Sequence, residues 1–385
     1  MDFDLTEEQM MLKTNARNFL EKEIAPVVDE YERKGPMTRE DAVGFIKKLM
    51  PFGYYIGQLP EEYGGSNLDE KSYGLLMEEL ARIWASLAGV IMIAAVGGVA
   101  LEAQSESLKK TLVPRLVAGE LIGCGAITEP NAGSNAASME TAAVLDGDDW
   151  VINGTKTWIS NGSIADIVMV LCVTDRSKGP LGISQILVEK DVSPFTTREL
   201  HKLGLRAFPT SELAFVDCRV PSDNILGDPA LGYKRTMVGF ELARATLAAI
   251  STGIAQAAID ASINYARERM QFDKPIGSFQ MIQEMIADMI AATEAMRLLT
   301  YRAFYLIDKG ERCRWQSSLA KAYATELAVD VTSKAIQIHG AMGLSDEYPV
   351  ERYFRDARTM TIPDGTTQIQ KLVVGREVIG IRAFN

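Results

Sequence analysis

One carboxylate in the sequence stands where a reacting group is useful. In Thr361-Ile-Pro-Asp-Gly-Thr-Thr-Gln-Ile-Gln370, Asp364 lies between a proline and a glycine and is followed by two hydroxyls and two amides. Pro363 fixes its own φ and biases the residue before it towards extended backbone, so no helix is expected to run through here. Gly365 permits a sharp turn, and Thr366 reads as the cap of a new helix carrying Ile369, Leu372 and Val373. An acid at such a corner faces a cleft, where it can take a proton from a bound molecule. Two further stretches supply donors. In Ile127-Thr-Glu-Pro-Asn-Ala-Gly-Ser-Asn135 the glycine loop exposes backbone amides, and Thr128 and Ser134 add hydroxyls, a lining for phosphate or a ring carbonyl. In Asn153-Gly-Thr-Lys-Thr-Trp-Ile-Ser-Asn-Gly162, Trp158 and Ser160 share one strand face, an indole to cover a planar ring and a hydroxyl for its edge. The alternative for Trp158 is a buried structural role.

Composition narrows the chemistry. At 385 residues the chain is long enough for two or three domains. A formal net charge of −11 argues against nucleic acid as a partner but leaves room for an anionic cofactor held locally. Only His201 and His339 are present, and Cys124, Cys172, Cys218 and Cys313 show no CxxC spacing. No metal centre or Ser–His triad is therefore expected, and the cysteines read as reduced packing residues of a cytoplasmic protein. The acidic start, Met1 to Gln9, has no leader pattern, and the longest apolar run, 87–101, is short for a bilayer span and contains Gly97-Gly98. No membrane insertion is expected.

Three textures follow one another along the chain. Residues 1–122 read as helical, with capping-box spacing at Thr6–Gln9 and an apolar helix over 76–93. Small residues at Ala88, Gly89, Ala94, Ala95, Gly97 and Gly98 fit either tight helix packing or space for a ligand. Residues 123–230 read as a β domain, with strands at 144–145, 150–152, 167–173, 183–188 and 213–216 separated by Asn-Gly and Asp-Gly turns. Residues 231–385 return to long helices over 240–267, 281–309 and 315–339. The fold class is α+β, in the order helical, β, helical.

In this order the motifs resemble the acyl-CoA dehydrogenase family over nearly the whole chain. The match includes Ile127-Thr-Glu-Pro-Asn-Ala-Gly-Ser134, Trp158-Ile-Ser-Asn161, Arg267-Glu-Arg-Met-Gln-Phe-Asp-Lys-Pro-Ile-Gly-Ser-Phe-Gln280, Gln337-Ile-His-Gly340, Arg355-Asp-Ala-Arg358 and the closing Asp-Gly-Thr-Thr-Gln. The resemblance implies an N-terminal helical domain, a central β-barrel-like domain and a C-terminal four-helix bundle. It implies FAD bound by Ile127, Thr128 and Ser134, with Trp158 and Ser160 near the isoalloxazine ring and Thr366 and Gln368 completing the site. Arg269, Phe272, Gln337, Gly340 and Ala341 would reach the FAD of a neighbouring subunit, which implies a homo-oligomer, usually a tetramer. Ser134, Arg244, Asp364 and Gly365 would contact an acyl-CoA substrate, and an electron-transferring flavoprotein would take the electrons. Two departures stand out. Ala341 replaces a second glycine, and Pro363-Asp-Gly-Thr366 replaces Tyr-Glu-Gly-Thr at the base position. Some members carry the base just before the arginine matched by Arg244, but that position is Ala243 here, which leaves Asp364.

Desaturating an acyl thioester needs a base for the α-proton and a hydride acceptor for the β-carbon, which a flavin supplies. Because the proline precedes it, Asp364 keeps its own N–H, which in the family helps to polarise the thioester carbonyl. Aspartate is shorter than glutamate by about one C–C bond, ~1.5 Å, so the substrate must sit nearer the base. With a proline in place of the family's tyrosine, that favours a branched or alicyclic acyl group such as cyclohexanecarboxyl-CoA. The alternatives are a short-chain acyl-CoA dehydrogenase, a flavin oxidase resembling nitroalkane oxidase, and a catalytically silent flavin- or acyl-CoA-binding protein.

Overall fold

The computed structural model describes residues 4–381 and 383; the outer domain limits at 1 and 385, and the first three residues of the stretch read for a leader, lie outside them. The N-terminal helices are α1 Glu7–Phe19, α2 Val28–Lys34, α3 Arg39–Leu49, α4 Glu70–Ala94 and α5 Glu106–Val117. The capping box is formed: Gln9 N donates to Thr6 Oγ1 at 3.2 Å, and Thr6 N donates to Gln9 Oε1 at 3.3 Å. The 87–101 run is only the end of a longer helical stretch, Glu70–Glu102. By length and composition, this stretch and Pro229–Glu268 could each cross a membrane. Both are mostly buried within the protein, and α4 is apolar on most sides because neighbours surround it. The small residues of α4 serve packing. A Cβ on Gly89 would stand 2.8 Å from the Phe208 ring, and Gly123 lies directly against the Gly97 backbone.

The central domain is a curled seven-stranded sheet of β1 Gly123–Ala126, β2 Ala142–Asp146, β3 Asp149–Ser160, β4 Ile167–Val173, β5 Ile183–Glu189, β6 Thr196–Glu199 and β7 Thr210–Pro221. β4 pairs with β1 in parallel, with β5 antiparallel along its full length, and with β2 at Ala142↔Val173. The β2–β3 hairpin continues through β7 to the edge strand β6. β1 and β6 escaped the sequence reading for opposite reasons. Gly123-Cys-Gly-Ala lacks β-branched residues, and Thr196-Thr-Arg-Glu is a polar edge strand. β3 and β7 also extend well beyond the apolar cores that marked them.

The C-terminal domain begins with α6 Gly232–Glu268, then a hairpin of β8 Met270–Gln271 and β9 Lys274–Pro275, then α7 Gln280–Asp308 and α8 Arg314–His339. α9 Val350–Met360 and α10 Thr367–Ile379 close it. α8 packs against α6, α7 and α10, with α9 laid across α6 and α8, and α6 also carries α4. This places α6 and α8 either side of the turn that bears Asp364.

Candidate active site

The acid turn is held from three directions. Asp364 has φ +53° and Gly365 φ +95°, a left-handed pair that the glycine makes accessible. The Asp364 carbonyl accepts from Arg244 Nε at 3.3 Å and from Gln370 Nε2 at 2.8 Å. The Gly365 carbonyl accepts from Gln370 Nε2 at 2.9 Å and from Lys321 Nζ at 2.9 Å, and Lys321 also donates to the Thr361 carbonyl at 3.0 Å. Thr366 caps α10 through the Ile369 N–H, as the sequence implied, and Gln368 is exposed on its first turn. A non-glycine residue at positive φ persists only where its surroundings fix it, and here they do.

The Asp364 side chain is left bare by contrast. Neither its carboxylate oxygens nor its backbone N–H has a hydrogen-bond partner among the described residues. Burial pushes the carboxyl above its ordinary value, and the positive charges of Lys321 and Arg244 pull against that. Arg244 is 7% exposed, lies over the Phe240 ring and donates to Ser318 Oγ at 3.4 Å; its pKa is lowered by burial. Glu241, one turn before Arg244, is not a free acid: Arg312 and the Cys313 N–H occupy it.

The loop at 127–134 is fastened to β3 by a buried ion pair. Lys156 Nζ, with no exposed side chain, meets Glu129 Oε1 at 2.9 Å and the Ile127 carbonyl at 3.0 Å. Glu129 also accepts from the Thr141 N–H at 2.9 Å and from the Glu140 N–H at 2.6 Å. Burial drives Glu129 up, but these donors hold it below its ordinary range. The Thr128 carbonyl accepts from Thr157 N at 2.9 Å, which sets the loop beside Trp158. At Trp158 the backbone turns to φ +59°, within a register shift between Lys156 and Ile159. Ile159 then points into the core while Trp158 is 58% exposed and Ser160 half-buried on the other side. The indole is therefore not a core residue. Ser134 is exposed on the same loop.

The remaining residues lie elsewhere. Arg269 ends α6, and Phe272, 85% exposed at φ +52°, tips the β8–β9 hairpin. Arg269 comes 25 residues after Arg244 on α6, about 37 Å away at ~1.5 Å per residue. Gln337 comes 16 residues after Lys321 on α8, about 24 Å away by the same rise. Gln337, Gly340 and Ala341 are exposed at that far end, with Gly340 at φ +61°. Within one chain, then, Arg244, Asp364, Gly365 and Thr366 come together, whereas Arg269, Phe272, Gln337, Gly340 and Ala341 do not join them.

Sequence reasoning missed Lys321, Gln370, Lys156 and Glu129. The first two bond to backbone carbonyls, which no side-chain pattern reports, and the last two pair across 27 residues. A cleft of about 710 Å³ lies between α2, the 200–206 loop and α9, and Asp364 is not in its lining. Its wall mixes arginines with acids, including Arg206, Arg352, Asp346 and Glu351.

Three family models match the chain: acyl-CoA dehydrogenase N-terminal domain over residues 6–120, middle domain over 124–218 and C-terminal domain over 231–379. Glutaryl-CoA dehydrogenase of Desulfococcus multivorans is 40% identical over 394 aligned residues that span 100% of both chains. Butyryl-CoA dehydrogenase from Megasphaera elsdenii superposes with a TM-score of 0.92 at 36% identity, over 98% of this chain and 100% of that one. A glutaryl-CoA dehydrogenase from Mycobacterium smegmatis in complex with FADH2 gives 0.91 at 30% identity, over 99% and 97%.

Proposed function

The chain belongs to the acyl-CoA dehydrogenase family, and on that premise we propose that it oxidises the Cα–Cβ bond of a branched or alicyclic acyl-CoA thioester, such as cyclohexanecarboxyl-CoA, with Asp364 as base. The observation that carries this is the bare carboxylate of Asp364 on a turn held by Arg244, Lys321 and Gln370, while Glu241 is already occupied. Its raised pKa suits removal of a carbon-bound proton. The unpartnered Asp364 N–H is free to donate to the thioester oxygen as the α-proton leaves.

FAD is the cofactor, and the residues present fit it. Trp158 offers an uncovered indole, Thr128 and Ser134 offer hydroxyls, and a Cβ at Gly340 would meet nothing within 4 Å. When bound, FAD accepts the hydride from the β-carbon. Arg269, Phe272, Gln337, Gly340 and Ala341 lie too far along α6 and α8 to join Asp364 in their own chain. That supports a homotetramer in which they serve a neighbour's FAD. An electron-transferring flavoprotein as acceptor and a cytoplasmic setting complete the reading.

The acyl group rests on width. Relatives named for glutaryl and butyryl esters show that family membership does not choose it. The short acid and Pro363 in place of a tyrosine both leave room near Cα and Cβ. Anaerobic mixing with straight, branched and cyclic acyl-CoA esters should bleach the flavin fastest with the cyclic ester, and Asp364→Glu should slow that ester while sparing a straight one. Fastest bleaching by butyryl-CoA would favour the short-chain reading instead. No bleaching by any ester would indicate a silent binding protein, and sustained oxygen consumption without CoA an oxidase.

A further inference from the structure

We propose that Lys321 is a positioning residue for Asp364: its buried ammonium clamps the carbonyls on both sides of the acid and, by its charge, sets how basic that acid is. The inference rests on Asp364 being the base. Lys321 is fully buried, and a charge so placed persists only with close partners. Its partners are the Thr361 and Gly365 carbonyls, 3.0 and 2.9 Å away, which bracket Asp364 in sequence. Two of three N–H donors are thereby used. The carbonyls on their own would accept from a neutral donor equally well, as Gln370 shows at Gly365. What a lysine adds is a positive charge that, without forming an ion pair with it, favours the Asp364 carboxylate.

The charged groups facing Lys321 are few. Asp364 comes from the turn, Arg244 from α6 and Glu326 from α8 itself, the last engaged by Thr367 Oγ1 at 2.6 Å. Arg358 reaches the Thr361 hydroxyl from α9. Burial lowers the Lys321 ammonium to about 8, so it is charged across the acidic and neutral range. There its charge favours the Asp364 carboxylate and opposes the rise that burial causes. Removing the charge must therefore raise the pKa of Asp364, so the rate of flavin reduction, which needs the carboxylate, falls off at a higher pH.

The test is single-turnover flavin reduction by a saturating acyl-CoA ester, in a pH series below 8, with FAD-loaded wild type, Lys321→Met and Lys321→Arg. Lys321→Met is expected to lower the plateau rate roughly tenfold or more, because the turn loosens, and to move the acid limb up by roughly one pH unit. Lys321→Arg keeps the charge and should leave the limb where wild type has it. A slowed Lys321→Met with an unmoved limb would make Lys321 merely structural and overturn the proposal. If Lys321→Met does not retain FAD, Lys321→Gln, neutral but able to donate to a carbonyl, must show the same shift, and an unmoved limb there overturns it equally. Failure of wild type to reduce its flavin with any ester is a different result: it removes the dehydrogenase reading itself.

Discussion

In the first half of α6, Arg244 is covered, stacked on Phe240 and bonded to the Asp364 carbonyl. At its C-terminal end, Arg269 leads into a hairpin whose tip, Phe272, is almost wholly exposed although it is an aromatic side chain. The two regions share a helix and differ in what completes them. The acid turn has its Thr361, Asp364 and Gly365 carbonyls bonded within the chain, and the Asp364 carboxylate is left unpaired. The hairpin holds its shape by its own short ladder and a ring contact between Phe272 and Phe279, and leaves its largest apolar surface uncovered. One region is completed within the chain; the other leaves its tip uncovered, which the proposed assembly would cover.

The sharpest way to test the first half of this contrast is Asp364→Asn. It keeps the volume, the backbone N–H and the carbonyl contacts, and removes only the basic oxygen. Flavin reduction by a good ester should fall by about 10²–10⁴-fold while the ester still binds. Undiminished reduction, measured by anaerobic stopped flow, would mean that another carboxylate is the base. Next in size is the fastening of the 127–134 loop. Lys156→Met leaves Glu129 buried without its cation, which costs about 3–5 kcal/mol. Thermal unfolding should show that loss together with poor FAD retention, and unchanged melting would mean that the pair contributes little. Smaller again is Arg269→Ala, which tests the second half. Under the proposed assembly, losing a charge-assisted contact to a neighbour's cofactor should weaken FAD retention roughly tenfold and loosen that assembly with it. Sedimentation and FAD content together decide this, and a monomer that keeps its FAD would erase the contrast.

Much of this was legible in the sequence, and the physical reason is local chemistry. Asp364 announced itself because proline and glycine have few backbone options, and Thr6 and Thr366 because a hydroxyl at a helix start has a bond to make. β4 was visible end to end because both its faces are covered and its residues are apolar throughout. What supports Asp364 was not visible. Lys321 sits mid-helix among alanines and serines, and its partners lie 40 and 44 residues downstream on backbone atoms that every residue has. Trp158 is exposed and Ser160 half-buried, with Ile159 buried between them. The left-handed kink at Trp158 left no mark, because its cause is the bulge opposite β7 rather than any residue preference. Residues that do chemistry carry sequence signatures more readily than the residues that hold them.

The smallest expected effect reads the acid turn through stability rather than rate. Burial raises the folded pKa of Asp364 above the value near 3.9 of an unfolded chain. Between those two values the folded state holds more protons than the unfolded state, so stability falls as pH rises through the window. The ionised acid that the proposed reaction needs is thus a burden on the fold at neutral pH. Asp364→Asn resembles the neutral form and carries no such burden. It should therefore melt at a higher temperature than wild type at pH 7, with the gap narrowing at pH 5. A variant that melts lower, with a deficit that grows towards pH 7, would show that attraction to Arg244 and Lys321 outweighs desolvation. Asp364 would then be a stabilised anion and a weak base, and the case for it as the group that takes the α-proton would weaken with it.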